Sequence, residues 1–193
     1  MKDAVAAVIL AAGSSKRMGN VNKLLALWQG KALVRHVVET AKNSIVEEVI
    51  VVTGHQSDAI ELALEGLDVR FVHNPDYKEG MASSLKSGIR SVGKNQTGIA
   101  VLLADMPQLK GETLNQIVTG FLQADGRSIC IPICGSRQGN PVIWPKEFFP
   151  EILTLSGDKG ARELIKKYKN RVLEIPCEDH GTLIDFDTPE DIN

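Results

Sequence analysis

The chain opens on an unbroken apolar run, AVAAVIL at residues 4–10, with no polar face at either the strand or the helix period. Such a run reads as a strand covered on both sides. A helical pattern follows in ALVRHVVETAKNS, where Leu33, Val34, Val37, Val38 and Ala41 fall on one face. The alternation then repeats. EEVIVVTG, DVRFVHNP and GIAVLLADMP read as strands, and SDAIELALEG, MASSLKSGIRSV and ETLNQIVTGFLQ as helices. Ser57 is the expected N-cap of the second helix and Gly66 its stop. Strand and helix in strict alternation predict an α/β fold, with a mostly parallel sheet, right-handed crossovers and helices on both faces.

From about residue 128 the rhythm changes. SICIPIC, NPVIWP and RVLEIP are strand-like but lie among loops and one short helix, ARELIKKY. Antiparallel strands are expected in this C-terminal third. No repeat, low-complexity tract or linker interrupts residues 1–193, so one domain is expected. The chain stops at Asn193, where a helix should begin, so a further short segment is expected beyond it.

The 193 residues carry 22 Lys and Arg against 24 Asp and Glu, a net charge of −2. That balance gives no reason to expect nucleic acid or an anionic membrane as a partner. The apolar N-terminus is too short to span a bilayer and lacks the flanks of a secretory leader. Three cysteines, Cys130, Cys134 and Cys177, are an odd number and suit a reducing, cytoplasmic setting. Cys130 and Cys134 in CIPIC lack zinc-ligand spacing and read as core residues. His36, His55, His73 and His180 form no nucleophile–base pattern with Ser, Cys or Asp.

Two features carry chemistry. The first is LAAGSSKRMGNVNK, residues 10–23, directly after the first strand. Ligands of open α/β sheets bind beyond the carboxyl ends of the strands. Gly13 and Gly19 allow tight turning and close approach, and the backbone N–H groups of such a loop can cradle an anion. Lys16, Arg17 and Lys23 add positive charge. The pattern matches neither a Walker loop nor G-x-G-x-x-G, and a solvated surface loop would share its composition. The second feature is a set of carboxylates. Asp105 ends the apolar strand of VLLADMP, and Asp185 and Asp187 are two apart in LIDFDTPED. If extended, the latter two face the same way. Thr188, Pro189 and Asp191 read as N-cap, N1 and N3 of a helix start. A turn-forming Asp and a capped helix would account for these residues separately. Together they would suit a hard divalent cation, and a phosphate loop facing carboxylates suits metal-assisted nucleotidyl transfer.

These motifs resemble those of the MobA/MocA-like nucleotidyltransferases, and within them the molybdenum cofactor cytidylyltransferases. LAAGSSKRMG with Lys23, NPDYKEGMASSLKSGI, LLADMPQL, GNPV, LSGDKGAR and DFDTPED occur in the family's order and span nearly the whole chain. The resemblance implies a Rossmann-like nucleotidyltransferase fold, Mg2+ as cofactor, and CTP and molybdopterin as small-molecule substrates. It also implies a molybdenum hydroxylase as client. Carried over residue by residue, Leu10, Ala11, Ala12 and Gly13 would contact the base or ribose. Arg17 and Lys23 would hold the phosphates, and Asn74, Gly80, Ser83 and Ser84 would lie near the nucleoside. Asp105 would be the main metal ligand, with Asp187 completing the site and Asp185 beside it. Gly139, Asn140, Asp158 and Arg162 would face the acceptor. Lys23, Arg17 and Asp105 are the implied catalytic set.

Within the family LAAG resembles the cytidylyl branch, whereas the guanylyl branch has LAGG, so Ala12 favours CTP over GTP. Many relatives have histidine where Asn140 stands, which weakens the acceptor assignment. A sugar phosphate or phospholactate acceptor, a non-catalytic molybdopterin carrier and a DxD glycosyltransferase are the rival readings.

Overall fold

A computed structural model of the protein describes residues 4–14, 22–158 and 161–192. The expected strands form: β1 (Val5–Ala11), β4 (Glu48–Thr53), β5 (Arg70–His73) and β6 (Gly98–Leu103) pair in parallel in the order β5-β4-β1-β6. A small hairpin, β2 (Leu27–Trp28) and β3 (Lys31–Ala32), stands apart from this sheet.

Both faces of the central strands are buried, which is why they show no alternation. Along β1, Val5, Ala7, Ile9 and Ala11 enter one core while Ala6 and Val8 enter the other. The first core is closed by α1 (Leu33–Lys42), α2 (Ser57–Ala63) and α4 (Gly111–Gln123), through residues such as Val37, Ile60 and Ile117. The second is closed by α3 (Met81–Ser91), with α5 (Phe149–Ile152) and α6 (Arg162–Lys167), through Leu85, Ile152 and Leu164. The chain therefore winds one way from β1 through β5, then crosses the sheet through α3 to reach β6. The carboxyl ends of β1 and β6 lie at the point where the winding reverses.

The C-terminal third completes the sheet as β6-β9-β7-β10, from β7 (Ile129–Cys134), β8 (Arg137–Gln138), β9 (Val142–Pro145) and β10 (Val172–Pro176). β9 runs antiparallel to both β6 and β7, and β8 is antiparallel to β7, whereas β10 pairs with β7 in parallel. Of the three segments flagged by the sequence, only NPVIWP supplies a reversed strand. The other two keep the direction of β1, so their carboxyl ends also lie on the ligand edge.

The start of α2 differs from expectation. Gln56, at φ 53°, is its N-cap, and Ser57 is the first helical residue. The Ser57 hydroxyl donates to Asp58 Oδ1 at 3.4 Å rather than capping the helix. Gly66, at φ 82°, does follow the last helical turn. Cys130 is fully buried in the first core, and burial pushes its thiol up to about 12. A thiol so held is a core residue, as the sequence suggested. No described helix is long and apolar enough to cross a membrane.

Candidate active site

Asp105 lies two residues beyond the end of β6, at the reversal of winding. Its carbonyl accepts a hydrogen bond from Phe186 N at 2.8 Å. That one backbone bond sets Asp185 and Asp187, on either side of Phe186, against Asp105. The Phe186 ring is buried and meets Trp28 edge to face, with centroids 5.4 Å apart. Trp28 is fixed in turn by His36, whose Nε2 lies 2.8 Å from the Trp28 carbonyl. An apolar anchor between two carboxylates thus holds both at the sheet edge.

The segment is locked from its other end by Asp191. Its Oδ2 accepts from Asp187 N at 2.9 Å, Thr188 N at 2.7 Å and Thr188 Oγ1 at 3.0 Å. These donors hold the Asp191 carboxyl below its usual range, the Thr188 amide contributing most. The predicted helix start takes the form of a 3-10 turn, Pro189–Ile192, with Asp191 reaching back as in a capping box.

The three aspartates converge as the sequence pattern proposed. Asp105, Asp185 and Asp187 each bring one carboxylate oxygen within 4.8 Å of the others. They form the one group of this kind among the described residues. Between two of them sits the ammonium of Lys23, 2.7 Å from Asp105 Oδ2 and 2.5 Å from Asp187 Oδ1. Its side chain is only 14% exposed. Burial works against its charge most strongly. The attraction of Asp105 and the hydrogen bonds to Asp105 and Asp187 outweigh that, and the ammonium's pKa is raised. The sequence placed Lys23 on the phosphates and the aspartates on a metal; the structure brings all four into one cluster. Asp105 Oδ1 is buried and has no hydrogen-bond partner among the described residues. An all-oxygen donor set with one buried, unpartnered oxygen fits a hard divalent cation.

Around this cluster the loops are built from close backbone packing. Leu10 O accepts from Ala104 N at 3.3 Å, and Ala12 O from His55 N at 3.2 Å. Gly13 is exposed, and among the described residues nothing lies within 4 Å of where its Cβ would stand. Ala11 and Ala12 are buried, and a Cβ on Gly54 would lie 2.9 Å from the Ala12 methyl. The Ala12 methyl therefore packs inward, and any influence on a base runs through the position of the backbone. Arg17 lies outside the described residues, as do Lys16 and Gly19.

Asn74, Ser83 and Ser84 are all buried and bonded to one another. Asn74 Nδ2 donates to Ser83 Oγ at 2.9 Å and Ser84 Oγ at 3.1 Å, and its Oδ1 accepts from Asp76 N. Ser83 Oγ closes the loop by donating to the carbonyls of Asp76 or Gly80. The three residues clamp the 74–80 loop onto α3. Asn74→Ala leaves the two serines and the Asp76 amide short of a partner, and is expected to destabilise the fold by about 1–3 kcal/mol, read as a lower midpoint in urea.

The 157–158 turn docks on the same helix start. Ala82 N donates to Gly157 O at 3.0 Å, and a Cβ on Gly80 would fall 2.4 Å from Asp158 Oδ1. Gly80 has φ 101°, a conformation that favours glycine. Arg162 is exposed at the first residue of α6. On the other side, Asn140 N donates to Thr182 O at 2.8 Å, and a Cβ on Gly139 would lie 2.5 Å from that oxygen. Asn140 precedes a cis proline. Gly139 and Asn140 thus lie beside the chain that leads into Asp185.

Residues 7–172 match the MobA-like NTP transferase domain family. The chain belongs to that family. It is 31% identical to nicotine blue oxidoreductase of Paenarthrobacter nicotinovorans over 96% of this chain and 93% of that one. It is 33% identical to purine catabolism protein PucB of Bacillus subtilis, over 95% and 92%. It is 28% identical to molybdenum cofactor cytidylyltransferase of Escherichia coli, over 97% and 93%. Among solved structures, a Mycobacterium tuberculosis protein in complex with manganese superposes with a TM-score of 0.78 at 25% identity, covering 97% of this chain and 95% of that one.

As a MobA-like NTP transferase domain, the fold has positioning residues to which sequence reading gave no role in the site. Asp179 is buried, with Oδ1 accepting from Gly181 N and Oδ2 from Lys110 N, both at 2.9 Å. It ties the Thr182 loop to the start of α4. Phe186 and Asp191 set the two acidic residues between them. The Thr188-x-x-Asp191 spacing was visible as a capping pattern. Asp179 gave no signal as a tie to α4, because Lys110 is 69 residues from it in sequence.

Proposed function

We propose that this MobA-like nucleotidyltransferase moves a cytidylyl group from CTP to the terminal phosphate of molybdopterin. The products are the cytosine dinucleotide cofactor and pyrophosphate. The observation that carries the reading is the joining of Lys23 with Asp105, Asp185 and Asp187 at the carboxyl ends of β1 and β6. Full-length similarity to the Escherichia coli molybdenum cofactor cytidylyltransferase and Ala12 in LAAG support CTP and molybdopterin over other pairs.

In this reading the whole chain serves as one nucleotidyltransferase domain. Asp105 and Asp187, with Asp185 beside them, would hold Mg2+, which when bound supplies charge neutralisation at the α-phosphate. The backbone from Leu10 to Gly13 receives base and ribose. The loop through Gly80, held by the clamp of Asn74, Ser83 and Ser84, lies near the nucleoside. Lys23, on a fixed pivot, and Arg17 stabilise the departing pyrophosphate. Gly139, Asn140, Asp158 and Arg162 receive the acceptor. Its phosphate is already anionic at neutral pH, so the site needs no general base. Positioning and charge account for the rate. A molybdenum hydroxylase is the class of enzyme that would use the product.

The test is pyrophosphate release with molybdopterin and each nucleoside triphosphate in turn. Release with CTP alone is expected. Release with GTP alone would reassign the nucleotide, and no release with any of them would favour a carrier.

A further inference from the structure

The ammonium of Lys23 and a divalent cation compete for the same oxygens. Lys23 Nζ touches Asp105 Oδ2 and Asp187 Oδ1, two of the three carboxylates that converge at the site. We propose that Lys23 is a built-in counter-cation that keeps the carboxylate cluster closed to metal until a triphosphate draws the ammonium away, so that nucleotide binding precedes tight metal binding. The inference rests on the cation reading of Asp105 and Asp187 given above.

Three observations support it. First, three carboxylates each bring an oxygen within 4.8 Å of the others, and the Lys23 ammonium already occupies the space between two of them. A cation entering beside the ammonium would meet like charge at short range. Second, the pivot is fixed while the side chain is long. Lys23 opens a 3-10 turn, Lys23–Leu25, whose start is capped by Asn22 Oδ1 accepting from Leu24 N at 3.1 Å, and whose Leu24 is buried in the first core. The four-carbon stem can swing without moving the backbone. Third, the ammonium stands at the ligand edge of the sheet, against Asp105 just beyond β6. A polyanion arriving there offers the ammonium an alternative partner. Once the ammonium turns to phosphate, it leaves Asp105 Oδ2 and Asp187 Oδ1 together. By linkage, whatever removes Lys23 from the carboxylates raises metal affinity, and the triphosphate and metal favour each other by the same factor.

The experiment uses the full chain and Mn2+ alone as probe, read by the loss of free Mn2+ signal in electron paramagnetic resonance. Without nucleotide, Lys23→Met is expected to bind Mn2+ at least tenfold more tightly than wild type. Lys23→Arg, which keeps the charge, should stay weak, and Lys23→Met/Asp105→Asn should lose the gain. Added Mn2+ should raise the thermal midpoint of Lys23→Met more than that of wild type, which separates site opening from misfolding. In a second arm, nucleoside triphosphates are titrated with EDTA present. Wild type should bind at least one of the four without metal, and Lys23→Met should bind it at least tenfold more weakly. Equal Mn2+ affinity in wild type and Lys23→Met would overturn the proposal, as would nucleotide binding that requires metal. The metal arm needs neither CTP nor molybdopterin, so it can succeed even if the assigned substrates are wrong.

Discussion

Asp105→Ala is expected to lower turnover by about a hundredfold or more, the order lost with one strong transition-state contact. Asp105 occupies a position that no neighbour can take over. It lies two residues beyond the central strand β6 at the reversal of winding, one oxygen is bound by Lys23, and the other is buried without a hydrogen-bond partner among the described residues. The variant should nevertheless fold. The bond that sets Asp185 and Asp187 in place comes to the Asp105 carbonyl, not to its side chain. Alanine there also relieves crowding among the acidic groups. Steady-state kinetics beside circular dichroism would separate the two effects. A folded Asp105→Ala enzyme with near-normal turnover would remove Asp105 from the metal site.

Gly181→Ala should show the reverse pattern, a large stability effect from a residue that carries no functional group. A Cβ at Gly181 would stand 2.2 Å from Gln108 O, 2.5 Å from Gln108 C and 2.8 Å from Leu109 N. All three are backbone atoms, so no side-chain rotation relieves the clash. The cost is expected at the upper end of the overpacking range, about 3 kcal/mol, or roughly 6–12 °C in thermal midpoint for a chain of this length. The same shift should pull the Thr182 loop from the loop after β6 and so disturb the Asp105–Asp187 geometry. Gly13→Ala is the control: among the described residues nothing lies within 4 Å of its Cβ, and its thermal midpoint should stay within about 2 °C of wild type. Equal midpoints for Gly181→Ala and wild type would mean that this loop contact is not what holds the site edge.

The sequence revealed the parts of the fold that depend on burial alone. β1, β4 and β6 read as strands because both their faces enter cores, and α1 because Leu33, Val34, Val37, Val38 and Ala41 all turn inward. It was less informative where partners are distant. Nothing local distinguishes the reversed strand β9 from β7 or β10, since direction is set by which neighbour each one meets. Nor could composition show that Gln56 rather than Ser57 begins α2, because a left-handed N-cap there follows from how the loop leaves β4.

The site shows the same division. Asp185 and Asp187 were legible through their spacing of two, and Asp105 through its place at a strand end. The mutual hydrogen bonds of Asn74 with Ser83 and Ser84 were not, because they span nine and ten residues and cross from a loop to a helix. Lys23 was recognised as a charge of the opening loop, but its partners are 82 and 164 residues away. Only the fold brings them together.

The central claim is nucleotidyl transfer, and label transfer tests it most directly. The full chain would be incubated with magnesium, molybdopterin and CTP labelled at the α-phosphate, and the products separated. The label is expected to move into a dinucleotide that also contains molybdopterin, with unlabelled pyrophosphate released in equal amount. Label that remains in CTP, or appears only as CMP, would contradict the account.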